Sequence, residues 1–359
     1  MRLLDRYLLG QFLLWAVGGL LTFVGLFVII DLFERIDTFV DYKTPAAIIL
    51  RYYGYGLTTI ITQVLPLALL LGTLLSLGQL RSNNELTAMQ ASGQSPLRLA
   101  APLLGLAFFF CLIHYYISEE HSASHYAEQK RILVEDIKRI SEGDRQSQTN
   151  VRLLGGGNRF YVAQYYDAKR FTLRSVSVQF VDPPTLDLRI DAARAVYDRG
   201  VWRFEKGFYR SFGDSTEVTL AFDAFASTLL SEVPTDFARR RIDPFRAGMR
   251  ELWRYAKRVG ESGGETQKYM TNFHLRASYP LSGLIMVFLG AGLSMRVVRG
   301  NSLVLGIGLS MAVGFAYFSL IRTGQALGYS GTLPPALAAW LGNLVFILIG
   351  MIVFRRLAR

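Results

Sequence analysis

Few residues in this chain are arranged for bond-making chemistry. The nearest candidate is a histidine pair, His121 and His125, four apart in a stretch of helical character with Glu120 and Glu128 close by. That spacing puts both imidazoles on one helix face, where they could share a zinc ion. No glutamate follows the first histidine as in H-E-x-x-H, so a surface pair is the simpler reading. His114 lies inside an apolar run, where packing or an interhelical hydrogen bond accounts for it. His274 adjoins another such run and has no evident partner in the sequence. Gly155-Gly156-Gly157-Asn158 lacks the lysine of a G-x-x-x-x-G-K-[ST] phosphate loop and precedes a strand pattern, so it reads as a turn. The chain has no such loop elsewhere, so any ATP hydrolysis would belong to another polypeptide. The one cysteine, Cys111, can form no intrachain disulfide.

What the chain does carry is apolar length. Of its 359 residues 51% are hydrophobic and 19% charged. The apolar residues are bunched into runs of about 20, enough to span a hydrocarbon core of ~30 Å. Six runs qualify: Tyr7 to Ile30, Gly56 to Leu80, Leu99 to Ile117, Ala277 to Met295, Asn301 to Ile321 and Leu333 to Phe354. In hydrocarbon each backbone group must pair within its segment, so these are expected to be helices. The first run is too long for a signal-peptide core. Pro66 is expected to kink the second span, and Arg51 to snorkel from its outer end.

Cations set the orientation. One set of short segments holds Arg2, Arg6, Arg81, Arg98, Arg296, Arg299, Arg355, Arg356 and Arg359 against Asp5 and Glu85. The opposite set holds Arg35, Lys43 and Arg322 against Asp31, Glu34, Asp37 and Asp41. The bias places both termini in the cytoplasm. The net charge of +11 is therefore partly a topology signal and weak evidence for nucleic acid as a partner.

Between the third and fourth spans the period changes from helical to two. Residues 118–275 are expected to fold outside the membrane as an all-β domain with flanking helices. The predicted strands are Val151–Leu154, Phe160–Gln164, Phe171–Phe180, Leu186–Ile190, Val201–Phe204 and Glu217–Phe225, with turns at 155–158, at Pro183-Pro184 and at Asp198-Arg199-Gly200. Short alternating strands at this spacing point to a β-sandwich or jelly roll. Residues 119–140 should extend the third span outward. A second helix is predicted over 244–259, capped by Asp243, with Pro244 at its first position. Phe245, Met249, Leu252, Ala256 and Val259 form its apolar face, and Arg246, Arg250, Arg254, Lys257 and Arg258 its cationic one. The cationic face is either solvated or meets anionic headgroups. Arg239-Arg240-Arg241 reads as a solvated loop, with the mouth of the β domain as the alternative.

On the cytoplasmic side, Ser82 and Glu85 have capping-box spacing and predict a short helix over 82–93, ended by Gly93. It is either a docking element or a connector. Here the sequence resembles a known family. LPLALLLGTLLSLGQLRSNNELTAMQASG (Leu65–Gly93) is similar to the hallmark of the lipopolysaccharide export permeases, the LptF/LptG family. LLDRYLLGQF (Leu3–Phe12), LWRYAKRVGESGGETQKYMTNFHLRASYPL (Leu252–Leu281) and LGYSGTLPPALAAWLGN (Leu327–Asn343) support the likeness, and LDRY leans toward the G member.

The resemblance implies six transmembrane helices in three-plus-three arrangement, 1–117 and 276–359, with a periplasmic β jelly roll between helices three and four. It implies the inner membrane of a Gram-negative-type bacterium. The implied function is the transmembrane subunit of an ABC transporter that extracts lipopolysaccharide and passes it through the β domain toward the outer membrane. The implied partners are a cytoplasmic ABC ATPase dimer that binds the ATP and magnesium, a second permease, a single-span LptC-like jelly-roll protein and an LptA-like bridge. This chain itself would bind no cofactor and would be no enzyme. Glu85, Leu86, Met89, Gln90 and Gly93 would couple to the ATPase. Phe23, Phe27, Ile30, Arg35, Lys43, Leu65, Leu69, Phe315, Phe318 and Arg322 would meet lipid. Asp31, Glu34, Asp37 and Asp41 stand where some members of the family carry lysines, at the outer end of helix one; an acidic rim repels a phosphorylated lipid. A different class, an envelope receptor or scaffold, would need a cytoplasmic signalling domain, and the longest cytoplasmic segment has about 18 residues. A lipid-modifying enzyme would need paired acids or a metal cluster at the interface.

Overall fold

The computed structural model describes residues 3–139, 147–156, 158–182, 185–212, 217–227, 230–238, 244, 247–261, 264–296 and 302–356. Several residues used above lie outside that set: Arg2, Arg299, Arg359, Asn301, Gly157, Pro183, Pro184, the Arg239–Arg241 run, Asp243, Phe245 and Arg246. The described chain divides into two units, residues 1–133 with 244–359, and residues 134–243.

The first unit holds all six expected spans. They are α1 (Leu3–Asp41), α2 (Ala46–Ser82), α4 (Pro96–Glu120), α8 with α9 (Gln267–Ser278 and Ser282–Arg296), α10 (Ser302–Tyr329) and α11 (Pro335–Arg355). The short α3 (Glu85–Ala91) links α2 to α4. The fourth span is interrupted by a 3₁₀ turn at Tyr279–Leu281 around Pro280, which lacks the amide an uninterrupted helix needs. Pro66 lies inside α2, which stays helical through it. α2 is the centre of the bundle: from Val64 to Leu80 almost every residue is buried. Gly72 permits the closest approach, since a Cβ there would lie 2.8 Å from the Ala16 backbone on α1. α1, by contrast, buries only Leu8, Phe12, Ala16, Gly19 and Phe39, and presents Leu14, Leu21, Ile29 and Phe33 outward. That is the expected face toward lipid tails or another helix.

α1 and α2 are longer than a bilayer requires. At 1.5 Å per residue, 39 residues reach about 58 Å. Their outer ends pair beyond the span as a hairpin, turned by Lys43 in the left-handed region (φ 47°). Phe39, Tyr52 and Tyr53 pack edge to face there. α5 (Ser122–Arg131) leans on this hairpin: His125 Nδ1 lies 2.7 Å from Thr58 Oγ1, and Arg51 pairs with Glu128 at 3.2 Å. The predicted extension of the third span is therefore broken at His121, with α5 and a π turn (Ile132–Ile137) after it. The second predicted helix is α7 (Met249–Glu261), starting later than expected. Its first amide is capped from another helix, Met249 N–H donating to Glu119 at 2.7 Å.

The second unit holds one antiparallel sheet in strand order β1 to β6: Gln148–Leu154, Arg159–Asp167, Thr172–Asp182, Thr185–Asp198, Val201–Phe212 and Glu217–Ser227. Five of the six predicted strands lie within longer ones, and the third begins one residue later than predicted, at Thr172. Each pairs with its sequence neighbours, so the sheet is a meander, and the Greek-key crossings of a jelly roll are absent from the pairing of the described strands. The β4–β5 hairpin turns on Arg199 and Gly200, both at positive φ (49° and 87°), as a two-residue turn matched to strand twist requires.

The meander is folded by a crease. Asn150, Ser175 and Lys206 have left-handed φ (53°, 48° and 52°) on alternate strands. The register places them in one line with Gln164, Ala193 and Asp223. At this line the inward–outward alternation reverses on every strand. On one side the inner face reads Leu153, Tyr161, Val178, Ile190, Tyr209, Leu220 across the sheet; on the other it reads Gln148, Tyr166, Leu173, Ala195, Phe204, Phe225. The crease lets a single sheet enclose a core between its halves, which a flat meander cannot do. Gly207 sits beside it, where a Cβ would collide with Asp191 O.

Candidate functional site

Two cavities lie near the outer end of the helical unit. The first, of 300 Å³, is lined by polar groups from four spans: Gln63 of α2, His114 of α4, Asn272 and Arg276 of α8, and Arg322 and Gln325 of α10, with Phe318 and Tyr279 beside them. These polar groups hold one another. Arg322 donates to Gln325 at 3.0 Å, Gln325 donates to Tyr329 at 2.8 Å, and Asn272 donates to Tyr329 at 2.6 Å. Arg276 is anchored by Ser118 O at 3.1 Å and by Glu119 at 3.6 Å. Arg322 has an amide partner here and, among the described residues, no carboxylate bonded to it, so its charge faces the cavity. Polar groups on helices this apolar are costly in hydrocarbon, which makes this cavity a candidate site.

The second cavity, of 430 Å³, lies between α1, α2 and α5. Phe27, Ile30, Ile60 and Leu133 make its apolar wall, and Asp31, Glu34, Arg35 and Lys130 its charged rim. Arg35 Nε reaches both Asp31 carboxylate oxygens at 3.0 Å, Tyr53 OH donates to the same carboxylate at 3.0 Å, and the guanidinium lies 5.8 Å from the Tyr52 ring centre. One rim acid is thus neutralised internally; Glu34, Asp37 and Asp41 remain exposed. Thr59, Gln63 and Tyr126 line both cavities.

Of the residues expected to meet lipid, the structure brings Phe27, Ile30 and Arg35 together at the second cavity and Phe318 and Arg322 at the first. Phe315 is 77% exposed on the outer face of α10. Phe23 is half-buried on α1, and Lys43 is in the outer turn, exposed. Leu65 is half-buried against the bundle core, and Leu69 is 1% exposed within it, so Leu69 packs helices together instead of lining a cavity. Sequence reasoning missed Gln63, Asn272, Arg276 and Gln325. Gln63 was signalled by its polarity inside an apolar run; Asn272, Arg276 and Gln325 lie just beyond the ends of such runs and carried no comparable signal.

At the inner end, α3 spans two turns. Its start differs from the predicted capping box. α2 runs through Ser82, and the chain reverses at Asn84, which is left-handed (φ 62°) and makes no side-chain cap. Glu85 instead accepts from Tyr7 OH of α1 at 2.8 Å and from Asn83 at 3.2 Å. Leu86 is buried in the cluster that contains Leu8, Phe12, Leu80 and Leu99, and Met89 packs against that cluster. Gln90 is half-buried. Gly93 ends the helix at φ 86° as expected, its N–H donating to Gln90 O at 3.0 Å. The exposed face is Thr87, Ala88 and Ala91. Nearby, Arg98 binds Asp5 at 3.0 Å, tying α4 to α1.

No group of three or more metal-ligating side chains exists among the described residues. His125 is bonded to Thr58, and Arg131, with help from Arg51, holds the Glu128 carboxyl below its usual range, so the zinc reading of the pair has no acid to complete it.

This layout of six spans, an inserted β domain, a short inner helix and polar outer cavities agrees with comparison to known proteins. The family model for the lipopolysaccharide export system permease LptF/LptG matches residues 6–356. The chain belongs to the LptF/LptG family. Permease protein LptG of Escherichia coli strain K12 is 23% identical over 300 residues, covering 81% of each chain. Permease protein LptF of the same strain is 32% identical over 108 residues, 30% of each chain, and LptF of Shigella flexneri matches to the same extent. The wider coverage by LptG weakly favours the G member. The family is one of transporter subunits in the inner membrane, with many passes and no catalytic role of their own.

Proposed function

We propose that this chain is one of two permeases of an ABC exporter that extracts lipopolysaccharide from the inner membrane and moves it toward the outer membrane. The observation that carries the reading is the family match from residue 6 to residue 356. Both termini are cytoplasmic in this reading. ATP and magnesium are bound by a separate ATPase dimer, which docks on the exposed face of α3 and on Glu85. A second permease completes the lipid cavity against the exposed faces of α1 and α10. The β domain hands lipid to a single-span LptC-like protein and an LptA-like bridge.

The division of labour follows from the energetics. Each acyl methylene costs about 0.8 kcal/mol to hydrate, so a lipid with several chains needs both an apolar path and an external energy source. Phe27, Ile30 and Phe318 supply apolar surface and Arg322 supplies charge for phosphate, while Arg35 is held by Asp31. The acidic rim is offset at Asp31 by Arg35, and the remaining acids leave a role for cations from the second permease or for a bridging divalent ion.

Purification of the chain with its native associates tests this, by mass spectrometry of bound proteins and lipids. An ABC ATPase, a second family member and lipopolysaccharide are expected. Stable association with a signalling kinase or receptor, and no ATPase or lipopolysaccharide, overturns the reading.

A further inference from the structure

The trough inside the creased sheet is already occupied. Residues 230–238 cross its inner face as a strap in which Leu230, Glu232, Pro234 and Phe237 point inward and Ser231, Val233 and Thr235 outward. The strap ends in the single turn α6 (Pro234–Ala238). Phe237 is 1% exposed, and its ring meets three aromatic rings of the sheet: Tyr161 at 5.3 Å, Trp202 at 5.2 Å and Tyr166 at 6.0 Å.

These contacts fall on both sides of the crease. Tyr161 belongs to one half-sheet, Tyr166 and Trp202 to the other. Glu232 repeats the pattern. Its carboxylate accepts from Tyr161 OH, from Gly156 N–H at 2.8 Å and from Arg159 at 3.2 Å, all on one half. Its backbone carbonyl accepts from Trp202 Nε1 at 2.8 Å on the other. Gln148 then bonds Ala238 O at 3.0 Å. The strap therefore staples the two halves together. Toward β6 the inner face is uncovered: Leu220 is 59% and Val218 52% exposed.

We infer that the strap is a releasable latch, with Phe237 holding the place of an acyl chain and Glu232 fastening the two half-sheets, so that lipid enters the trough only when the strap withdraws. This rests on the reading of the chain as a lipid exporter. The chemistry suits a latch. An aromatic side chain and an acyl chain compete for the same apolar wall, and withdrawal leaves Tyr161 OH, Gly156 N–H and Trp202 Nε1 to be met by water or by lipid oxygens. Release of the carboxylate brings back into water an acid and an arginine that hydrate readily, whereas a fully apolar plug would have no such means of exit. The unbroken apolar rows from Leu153 to Leu220 then become continuous with the uncovered end.

A reversible covalent lock tests it. A Cβ built on Gly155 lies against the Glu232 carboxylate, and Gly155 has no positive φ, so Gly155→Cys with Glu232→Cys replaces the latch by a disulfide. Cys111→Ala removes the native thiol. In the full complex, a photo-crosslinker at Ile190 reports lipopolysaccharide in the trough, and one at Phe27 reports it in the helical unit. The expected result is loss of capture at Ile190 in the oxidised protein, recovery on reduction, and unchanged capture at Phe27. Phe237→Ala without the lock should raise capture at Ile190. Equal capture at Ile190 in oxidised and reduced protein, with capture at Phe27 intact, overturns the latch alone. No capture at either position removes the exporter reading beneath it.

Discussion

Leu86 decides whether α3 is held by the bundle or by a partner. α3 has seven residues, far too few to be a stable helix by itself. Its one fully buried side chain is Leu86, at 1% exposure. Truncation of a buried leucine to alanine costs about 2–5 kcal/mol, the transfer term plus the cavity left behind. If about 2–4 kcal/mol of that falls on docking of α3, its undocked population rises roughly 30- to 700-fold, at tenfold per 1.4 kcal/mol. Leu86→Ala should therefore loosen the whole element while leaving its outer face chemically intact. The expected phenotype is hydrogen exchange across 85–91 increased by that factor, with ATPase still recovered on purification and ATP turnover no longer driving lipid release. Ala88→Trp, on the exposed face, should do the reverse: exchange unchanged and ATPase recovery lost. If Leu86→Ala abolishes ATPase binding with no change in exchange, Leu86 touches the ATPase directly and the inward placement is wrong.

Three further outcomes follow from the same geometry. Glu85→Lys should abolish coupling, whereas Tyr7→Phe, which removes only the 2.8 Å bond to Glu85, should cost under about 1 kcal/mol of stability; equal loss of lipid export in both would show that the bond and not the charge matters. Ser175→Val should lower the melting temperature of the β domain, since a branched residue at φ 48° adds about 1–3 kcal/mol of strain, and Ser175→Gly should leave or raise it; no difference between the two would remove the crease as a conformational requirement. Burial pushes Tyr166 up to about 12, with Asp167 adding to it, and Tyr161 higher still, with Glu232 adding to it. Both stay protonated when an unfolded chain ionises, so β-domain stability should be full below pH 10 and fall as pH rises above it, by about 1.4 kcal/mol per unit for each group; Tyr166→Phe should make the fall shallower in melts between pH 9 and 11.

The elements that sequence made legible were those with one strong local signal. Six apolar runs long enough for a bilayer became six helical spans, and six alternating stretches became six strands. The crease was not legible, although its trace is present. In Phe171–Phe180 the inward residues are Leu173, Val176 and Val178, and the step of three is the reversal at Ser175. A serine, a lysine and an asparagine at left-handed φ on separate strands carry no local signature; only their alignment in register gives them meaning. The start of α3 misled for a related reason. Ser82 and Glu85 have capping-box spacing, yet the apolar stripe of α2 carries the helix through Ser82, and Asn84 takes the turn. Tertiary packing likewise sorted the proposed lipid contacts, sending Leu69 to the core and Arg322 to a cavity. Helical periodicity cannot separate those two fates when a helix is apolar on all sides.

α2 joins the two ends of the helical unit. Its C-terminal end leads through Asn83 and Asn84 into α3, and its outer half supplies Thr59 and Gln63 to both cavities. A rod of 37 residues, buried along most of its inner half, transmits displacement of α3 outward with little room to absorb it. Its contact with α1 at Gly72 is the tightest point: a Cβ there would lie 2.7 Å from Ala16 Cβ and 2.8 Å from Ala16 N. Backbone atoms do not yield as a flexible side-chain end does, so Gly72→Val must push α1 from α2. That change opens the wall between Phe27, Ile30, Tyr52 and Ile60 without replacing any side chain of α3 or of the β domain. ATPase recovery and ATP turnover should persist, while lipid capture at Phe27 falls and no longer responds to ATP. Capture at Phe27 that stays ATP-responsive in Gly72→Val would refute α2 as the lever, because the outer cavity would then answer to the motor without the α1–α2 contact.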